Sequence, residues 1–281
     1  MKIPDSVEVI GSGSVIQHGK HNDRIYLMKL FPEDISLIFD ALTDLTGKFA
    51  YSKIFCKVPK KLSPLFLAKG YILEAYIPRF FELKEDVLFL SKFLSSDRLL
   101  NVQKTQLSDF STLLQNGYAK KRNSRIKNET YDIKRLGHSD VSKITALYDK
   151  VFQTYPFPIY DPDYIHKTMK EQVHYYGAER DEELAAIASS EIDMEARNAE
   201  MTDFATHSSH LGNNLSVLLL EKMEKEMKKQ GIGTLYTIAR LNSLAMNKTF
   251  LRSEYQYSGT LINNTNIAGN IESMNVYYKH V

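Results

Sequence analysis

Residues 199–230 read AEMTDFATHSSHLGNNLSVLLLEKMEKEMKKQ, and this stretch decides the fold class. AEMTDFAT (199–206) has the apolar alternation of a buried strand, and 217–230 has the apolar spacing of an amphipathic helix. The turn between them, HSSHLGNNLS (207–216), contains a single glycine, Gly212. Unpaired N–H groups and the helix dipole at a helix N-terminus bind phosphate, and glycine lets a phosphate approach closely. The stretch therefore predicts a phosphate-binding turn.

The turn differs from two well-known phosphate loops. A Walker-type loop needs a lysine directly after its last glycine, and no lysine follows Gly212. A dinucleotide-binding loop follows the first strand of its unit and carries three glycines, which also fits this turn poorly. The elements around the turn must therefore indicate which phosphate-containing ligand it binds.

Those elements follow a distinctive order. From residue 131 onward, strand and helix signals alternate as β-α-α-β-β-β-α-β-α-β-β. The predicted fold class is α/β (α+β), with a mixed, mostly antiparallel sheet and flanking helices. The basic, polar stretch 119–129 predicts a linker between an N-terminal α/β domain (1–118) and a second domain (130–281). The alternative for this stretch is a nucleic-acid arm, but no aromatic platform interleaves its charges.

The first half of the chain repeats the pattern of the second. FLAKGY (66–71) and FLRSEY (250–255) each follow a strand and an amphipathic helix, and each precedes two strand-like runs. We interpret the first half as a degenerate repeat. No glycine turn precedes its helix, so we expect it to bind no phosphate. The alternative is that any helix-strand-helix-hairpin unit would look this way.

Composition excludes several classes of protein. The net charge of +2 over 281 residues gives no overall attraction to nucleic acid, and no apolar run approaches the roughly 18 residues of a membrane span. The N-terminus lacks the apolar core of a signal peptide, and the single cysteine, Cys56, permits no internal disulfide. We therefore expect a cytoplasmic protein without nucleic-acid or membrane partners. Cys56 lies in an alternating apolar run, which predicts a core thiol rather than a nucleophile.

The order of elements, together with the turn, resembles the GNAT superfamily of acyl-CoA N-acetyltransferases. The loop of that family, Gln/Arg-x-x-Gly-x-Gly/Ala, aligns on Gly212, whereas Ser209 and Asn214 depart from its other two positions. The resemblance in architecture covers about 131–281. A closer likeness, to the β-lysine N-acetyltransferase branch, spans most of the chain. It is carried by the runs AEMTDFATHSSHLGNNLS, TIARLNSLAMNKTF, YSGTLINNTNIAGNIESMNVYYK, FLAKGYILEAYIPRFF and VLFLSKFL.

This resemblance implies an acetyl-CoA-dependent N-acetyltransferase with its catalytic GNAT domain at 130–281, preceded by a smaller, degenerate GNAT-like domain. The implied reaction acetylates the terminal amine of β-lysine and gives N6-acetyl-β-lysine, a compatible solute. The implied pathway partner is a lysine aminomutase that makes β-lysine. Two alternatives stay open: the same chemistry on another small amine, such as lysine or a polyamine, and a non-catalytic acyl-CoA-binding module.

The resemblance also places the contacts to coenzyme A. It puts the thioester and pantetheine against the backbone of Ala205 and Thr206. The residues whose N–H groups it places at the pyrophosphate are Leu211, Gly212, Asn213, Asn214 and Leu215. Asn242, after the next strand, matches the asparagine that touches the cofactor arm in the family, although alignment on Phe250 puts Ser243 there instead.

Acetyl transfer to an alkyl amine needs a base, because an amine with a pKa of about 10.4 is an ammonium ion at pH 7. Asp203 lies in the strand before the turn, where alternation places Met201 on its face, and Glu191 lies in the neighbouring strand. A charged side chain inside an apolar strand is costly unless it is paired or used. Asp203 and Glu191 are therefore the candidate catalytic residues. The alternatives are an exposed strand face and a structural ion pair with Arg197 or Arg240.

The loop YPFPIYDP (155–162) lies where GNAT enzymes usually receive the acceptor. Tyr155, Phe157 and Tyr160 are the candidates to contact the aliphatic stem of the substrate. The alternative is a packed loop that covers the sheet edge. Arg240 is the candidate to bind the substrate carboxylate.

Two local features limit the chemistry that can be assigned. Many GNAT enzymes protonate the leaving thiolate with a tyrosine, but that position holds Phe250, which leaves solvent, Tyr255, Tyr257 or no residue for the task. His207 and His210 have a spacing that suggests a metal, but no third ligand lies at useful spacing, so we predict no metal.

Overall fold

The computed structural model describes residues 5–115, 131–267 and 269–281, and the predicted linker 119–129 lies outside these ranges. The strands of the first half are β1 (Ser6–Ile10), β2 (Ser14–Gly19), β3 (Arg24–Lys29), β4 (Lys53–Pro59), β5 (Ile72–Phe81) and β6 (Glu85–Phe93). Its helices are α1 (Ile35–Phe49), α2 (Ser63–Leu67), α3 (Ser96–Leu100) and α4 (Lys104–Gln115).

The second half has longer strands. They are β7 (Asp132–Arg135), β8 (Val173–Arg180), β9 (Glu183–Asp193), β10 (Asn198–Thr206), β11 (Thr234–Arg240), β12 (Gln256–Ile267) and β13 (Asn270–His280). Its helices are α5 (Val141–Val151), α6 (Pro162–Lys170), α7 (Leu215–Lys229) and α8 (Leu244–Arg252). None of the helices in the described ranges combines the length and apolarity needed to cross a bilayer.

The strands of the described ranges form one sheet, in the order β1-β2-β3-β4-β6-β5-β12-β13-β11-β10-β9-β8-β7. Neighbouring strands are antiparallel, except that β3 pairs with β4 and β10 pairs with β11 in parallel. The order of elements predicted for the second half is confirmed. The predicted fold class, a mixed and mostly antiparallel sheet with flanking helices, is confirmed as well.

The two halves share one connectivity. In the first half, β3-α1-β4-α2 leads into the hairpin β5-β6, and in the second half, β10-α7-β11-α8 leads into the hairpin β12-β13. In both, the second hairpin strand lies next to the strand that precedes the short helix. The corresponding strands β5 and β12 pair antiparallel, as two copies related by a twofold rotation would. This agrees with a degenerate repeat, while the division of the shared sheet into two domains stays a prediction.

Buried cations of the first half hold the junction between the halves. β5 and β12 pair at Ala75 and Gly259. Cations donate to three consecutive carbonyl groups of β12: Lys53 Nζ to Ile262 O (2.7 Å), Arg98 Nε to Asn263 O (2.6 Å) and Arg24 Nη1 to Asn264 O (2.7 Å). Glu74 accepts from Lys53 Nζ at 2.9 Å and from the N–H group of Ile262 at 2.7 Å. Charged side chains therefore satisfy backbone groups that a regular ladder would otherwise pair.

The sheet curls, so that strands of the two halves face each other. The N–H group of Glu82 donates to Ala196 O at 2.7 Å, and the Thr234 hydroxyl donates to Arg79 O at 3.0 Å. We call the enclosed surface the inner face. Apolar side chains from both halves pack on it, including Tyr26, Phe55, Phe89, Tyr236, Leu261, Met274 and Val276. Helices α5 and α6 pack on this face at β8 and β9, whereas α1, α2, α7 and α8 pack on the outer face.

Strand β4 shows how one strand serves both faces. Ile54, Cys56 and Val58 pack under α1 and α2, whereas Phe55 and Lys57 point to the inner face, as the period of two in a strand requires. Cys56 is fully buried, and burial raises the pKa of its thiol. The prediction of a core thiol is confirmed.

Helix α7 is fixed beside β10 by its apolar stripe. Its buried side chains are Leu215, Leu219, Leu220, Met223 and Met227. They pack on Ala199 and Met201 of β10, and each contributes about 1.5–3 kcal/mol relative to exposure. Leu218, which the spacing also places in the stripe, is only partly buried. This packing sets the position of the turn before α7.

Gly259 lies where the two halves touch. A Cβ atom there would meet the carbonyl oxygen of Glu74 at 2.0 Å and the Cα atom of Ala75 at 2.9 Å. We expect Gly259→Ala to lower the free energy of unfolding by about 2 kcal/mol, as overpacking does, in urea titrations. Gly47→Ala is the matched control: Gly47 lies within α1 with open space around it, and alanine there should add about 0.5–1 kcal/mol. Similar effects of both changes would contradict the close approach.

Candidate active site

Strand β10 carries a β-bulge at the predicted base. Its pairing with β9 shifts register between Thr202 and Ala205, which inserts one extra residue. Asp203 has a left-handed backbone (φ 54°), which aspartate tolerates better than most residues. The bulge turns Asp203 to the inner face, whereas Met201 packs under α7. The expectation that Met201 shares the face of Asp203 is therefore wrong, because simple alternation does not continue through a bulge.

Three hydroxyl groups surround the carboxylate of Asp203. Tyr155 donates to Oδ1, Ser189 Oγ donates to Oδ2 at 2.6 Å, and Thr202 Oγ1 lies 3.4 Å from Oδ1. Burial raises the pKa of Asp203, and the hydroxyl donors oppose that rise. Because Tyr155 comes from the loop between α5 and α6, the structure brings one predicted substrate contact onto the predicted base.

Two further carboxylates lie on the inner face. Glu191 of β9 stands directly opposite Glu200 of β10, where like charges repel. Burial raises the pKa of Glu191, and Glu200 and Asp203 raise it further, whereas Lys57 lowers it. Glu191 nevertheless keeps solvent-exposed surface, so it lines a space that solvent enters. We call these three carboxylates, Glu191, Glu200 and Asp203, together with the side chains around them, the acidic pocket. It is open to solvent at Glu191.

Sequence reasoning missed several side chains of this pocket. Lys57 of β4 reaches it from the first half, with Nζ 3.3 Å from the hydroxyl of Tyr236. Tyr148 of α5 is fully buried, and its hydroxyl has no hydrogen-bond partner among the described residues. Glu200 could have been found, because it is the second acidic residue of the strand that carries Asp203. No local pattern points to Lys57, because only the curl of the sheet brings it here.

The other aromatic side chains of the acceptor loop are packed. Phe157 and Tyr160 belong to the apolar cluster formed with α5 and α6, and the Tyr160 hydroxyl donates to Phe152 O at 3.1 Å. Their role as substrate contacts stays a prediction. In the structure both are packed against the protein, as expected if the loop covers the sheet edge.

The two arginines considered as ion-pair partners bind other groups. Arg240 binds the buried Glu272 with two hydrogen bonds, Nε to Oε2 at 2.9 Å and Nη2 to Oε1 at 2.6 Å. Arg197 Nε donates to the carbonyl oxygen of Gly231 at 2.9 Å. A structural pair with either arginine is therefore not what holds the pocket carboxylates. The guanidinium group of Arg240 is already neutralised, which disfavours it as a substrate carboxylate site.

Strands β10 and β11 separate beyond the acidic pair. Their parallel pairing covers 198–200 and 234–236, whereas β10 continues to Thr206 and β11 to Arg240. Past this point, the facing strand edges keep backbone N–H and C=O groups that the ladder between them does not use. The opening therefore offers polar groups to an extended molecule that passes from the inner face outward.

A groove of about 650 Å³ lies between the N-terminus of α7 and α8, on the other side of this opening. The predicted cofactor contacts that line it are Thr206, Leu211, Gly212, Asn214 and Leu215. Ala205, Asn213 and Asn242 are not among its lining residues. Lys248 and Arg252, one turn apart on α8, place two cations on one wall of the groove. Lys279 also lines the groove, and so do the acidic residues Glu221, Glu224 and Glu254. Neither Lys248 nor Arg252 is among the residues predicted from the sequence, although their spacing of four is visible in the helix.

Comparison with known proteins assigns this arrangement to a family. The family model described as "Acetyltransferase (GNAT) family" matches residues 142–252. A β-lysine N(6)-acetyltransferase of Methanococcus maripaludis is 38% identical over 266 residues, which cover 95% of this chain and 96% of that protein. The chain belongs to the GNAT acetyltransferase family. It is an acetyl-CoA-dependent N-acetyltransferase, as the members of that family are.

Other relatives are more distant. N-acetyltransferase YodP of Bacillus subtilis is 29% identical and covers 98% of this chain and 99% of its own length. A β-lysine N(6)-acetyltransferase of Methanosarcina mazei is 27% identical, with 85% of this chain and 95% of that protein covered. Among solved structures, the ribosomal-protein-S18-alanine N-acetyltransferase of Escherichia coli superposes with a TM-score of 0.48 at 15% identity, over 54% of this chain and 94% of its own.

Phe250, at the position of the usual GNAT tyrosine, is a core residue. Its buried ring stacks on Tyr277 with centroids 5.8 Å apart and meets Phe204 and Tyr255 edge to face. A phenyl ring has no proton to give, so this side chain joins β10, α8 and β13 by packing alone. Burial raises the pKa of Tyr255, as does the neighbouring Glu224.

The histidines of the turn have contacts within the protein. His207 Nδ1 lies 2.7 Å from Ser209 Oγ, and His210 Nδ1 lies 2.8 Å from the hydroxyl of Tyr131. Across the described ranges, no three histidine, cysteine or acidic side chains converge as metal ligands. That the enzyme uses no metal stays a prediction.

Asn214 already has the left-handed backbone (φ 56°) that a glycine would supply at the second motif position. We therefore expect Asn214→Gly to bind coenzyme A within about twofold of the parent, in calorimetric titrations. Asn214→Ala should weaken binding about fivefold or more, because alanine costs about 1–2 kcal/mol in this conformation, so the free turn of the variant relaxes away from it and has to be restored on binding. Binding more than tenfold tighter in the glycine variant would show instead that the asparagine side chain obstructs the ligand.

Proposed function

We propose that the enzyme transfers the acetyl group of acetyl-CoA to the terminal amine of β-lysine, giving N6-acetyl-β-lysine. The observation that carries this proposal is the acidic pocket on the inner face, in a chain that aligns end to end with a β-lysine N(6)-acetyltransferase. β-Lysine carries two ammonium groups at neutral pH, and buried carboxylates favour cations of this kind. The three pocket carboxylates, Glu191, Glu200 and Asp203, meet that requirement.

The backbone geometry at the N-terminus of α7 and two cations of α8 suit the groove to the phosphates of coenzyme A. The first turn of a helix leaves N–H groups unpaired, and in α7 these belong to residues that line the groove. Together with Lys248 and Arg252, they would hold phosphate groups. When bound, acetyl-CoA supplies the acetyl group as a thioester. The backbone at Ala205 and Thr206, along the strand opening, would hold the pantetheine arm.

Asp203 is proposed as the base, acting directly or through water. Burial raises the pKa of its carboxyl group, which brings its proton affinity closer to that of the amine. Tyr155 and Ser189 fix the carboxylate in place, and Glu191 is the second candidate on the same face. The backbone at the bulge carries the extra residue outside the ladder, so an N–H group there is available to stabilise charge on the thioester oxygen.

The physiological setting is part of the proposal. β-Lysine has to be made by an aminomutase that moves the α-amine of lysine, which makes such an enzyme the pathway partner. Acetylation removes one positive charge and leaves a net neutral zwitterion, the charge state that suits a compatible solute. We place this reaction in the cytoplasm, with the catalytic GNAT domain at 130–281 and the first domain at 1–118.

The substrate is tested by following the free thiol of coenzyme A in the presence of single amines. We expect β-lysine to give the highest kcat/KM, with lysine, spermidine and putrescine at least about tenfold lower, the discrimination that one buried polar contact provides. Identification of the product by mass spectrometry and NMR fixes which amine is acetylated. Lysine or a polyamine outpacing β-lysine would refute the substrate and leave the family assignment standing.

The base is tested by the pH dependence of Asp203→Asn. A raised carboxyl pKa means that the parent rate rises with pH as the carboxylate ionises. Without this base, the variant depends on free amine, which is scarce at pH 7 and about 300 times more abundant at pH 9.5. We expect a loss in kcat of about 100-fold or more at pH 7 and less than about tenfold at pH 9.5.

The matched control for this change is Asp181→Asn. Asp181 has a similar left-handed backbone (φ 51°) but lies exposed in a turn, so its variant should match the parent at both pH values. An equal loss at both pH values in Asp203→Asn would mean that Asp203 positions the substrate or supports the fold and does not accept the proton.

A further inference from the structure

Lys57 is the one lysine among the described residues that the curled sheet carries into the acidic pocket. It lies in β4 of the first half, yet its Nζ atom is 3.3 Å from the hydroxyl of Tyr236 in β11. The ammonium group also lies over the rings of Tyr26 and Tyr236, 5.8 and 5.6 Å from their centroids. Tyr236 stands opposite Glu200 in the parallel ladder, so Lys57 approaches the carboxylate pair from the other half.

The ammonium group of Lys57 keeps hydrogen-bonding capacity. It forms no ion pair within 4.0 Å with a carboxylate of the described residues, in contrast to Lys53, which is paired with Glu74 at 2.9 Å. A lysine carries three N–H donors, and the two tyrosine hydroxyls next to it account for two of them. Glu191 likewise accepts no hydrogen bond from the described residues, although it lines accessible space.

A second observation points to a ligand in this pocket. Tyr148 of α5 has no exposed surface, and its hydroxyl is without a hydrogen-bond partner among the described residues. Burial raises the pKa of Tyr148, and among the neighbouring groups the charge of Asp203 raises it most. An orphaned hydroxyl in a native interior usually has a partner that the protein chain does not supply. A polar molecule bound next to Asp203 would supply one.

The spacing of the strand positions that carry these groups matches an amino acid with two amines. Ser189, which holds Asp203, and Glu191 are two residues apart on β9, about 6.6 Å along the strand. In β-lysine, the terminal nitrogen and the nitrogen on carbon 3 are five bonds apart, about 6 Å when extended. With the terminal amine at Asp203, the second ammonium group therefore falls at Glu191 and Glu200. The carboxylate then points further along the inner face, toward the first half.

We propose that Lys57 binds the carboxylate of the acceptor amino acid while Glu191 and Glu200 bind its second ammonium group. The first half of the chain is thereby part of the acceptor site and determines specificity for amino acids over polyamines. This inference rests on the proposed function. It gives the first half of the chain a role in acceptor binding. The groove proposed for the phosphates is built from the second half alone and does not involve the first half.

Three acceptors that share the terminal amine separate the two contacts. β-Lysine carries both the carboxylate and the second amine, 1,4-diaminopentane lacks only the carboxylate, and 6-aminohexanoate lacks only the second amine. In the parent enzyme we expect the KM of each analogue to exceed that of β-lysine by about 10- to 100-fold, the value of one charge-assisted contact.

The variants Lys57→Met and Glu191→Gln should then show opposite selectivity. Lys57→Met should raise KM about 10- to 100-fold for β-lysine and 6-aminohexanoate and less than about threefold for 1,4-diaminopentane. Glu191→Gln should raise KM for β-lysine and 1,4-diaminopentane and spare 6-aminohexanoate. Because Lys57 also lowers the pKa of Glu191, its loss weakens binding of both diamines alike. The ratio of their KM values therefore isolates the carboxylate contact.

Controls separate this effect from a folding defect. Lys57→Arg should keep the selectivity for carboxylate acceptors, since it keeps the charge. Lys61→Met removes a largely exposed lysine at the edge of the same half and should change none of the three KM values. The KM for acetyl-CoA should stay within about twofold in every variant, because the groove is remote from β4. If Lys57→Met does not fold, the carboxylate contact is tested with Lys57→Gln and with the KM values of the parent enzyme for the three acceptors.

The outcomes distinguish this inference from the proposed function. Turnover of β-lysine with an equal loss on all three acceptors in Lys57→Met would overturn the role of Lys57 and leave the proposed function intact. So would a parent enzyme that prefers β-lysine over 1,4-diaminopentane by less than about threefold, which is below the value of one charged contact. A parent enzyme that acetylates none of the three acceptors would overturn both proposals together.

Discussion

The rest of the structure depends on the buried cations that bind β12. Lys53, Arg98 and Arg24 donate to three consecutive carbonyl groups of this strand, and Glu74 completes the arrangement by accepting from Lys53 and from the backbone. A buried charge without its partner is strongly destabilising, so these groups hold the halves in one relative position. That position curls the sheet and creates the inner face. The acidic pocket exists because two halves, and not one, enclose it.

A second constraint separates the two substrates. The short parallel ladder between β10 and β11 ends at Glu200, opposite Glu191. The bulge that follows in β10 moves Asp203 off the regular alternation of the strand. The proposed acceptor site consequently lies on the inner face, and the groove proposed for the phosphates lies on the outer side at α7 and α8. The strand opening connects them. Carboxylates dominate the proposed acceptor site, whereas the groove offers the N-terminus of α7 together with Lys248 and Arg252 and is also lined by acidic residues.

Departures from the family pattern are local and physically explained. Asn214 replaces a glycine but takes the same left-handed backbone, which asparagine accepts at small cost. Phe250 replaces a tyrosine and serves as a packed core ring between β10 and β13. The single glycine of the turn is therefore compatible with the proposed phosphate site, because the helix that follows is held in place by its own apolar stripe.

The sequence by itself determined the order of elements in the second half, the turn at Gly212, the burial of Cys56 and the presence of acidic residues at 191 and 203. Each of these follows from local periodicity, from the conformational demands of single residues or from likeness to a known family. Tertiary structure alone decided which face Asp203 occupies, because a bulge breaks alternation without a sequence signal. It alone paired Arg240 with Glu272 and brought Lys57 to Tyr236, the residue opposite Glu200 in the ladder. Contacts between strands far apart in the sheet depend on its curvature, and curvature is a property of the assembled halves.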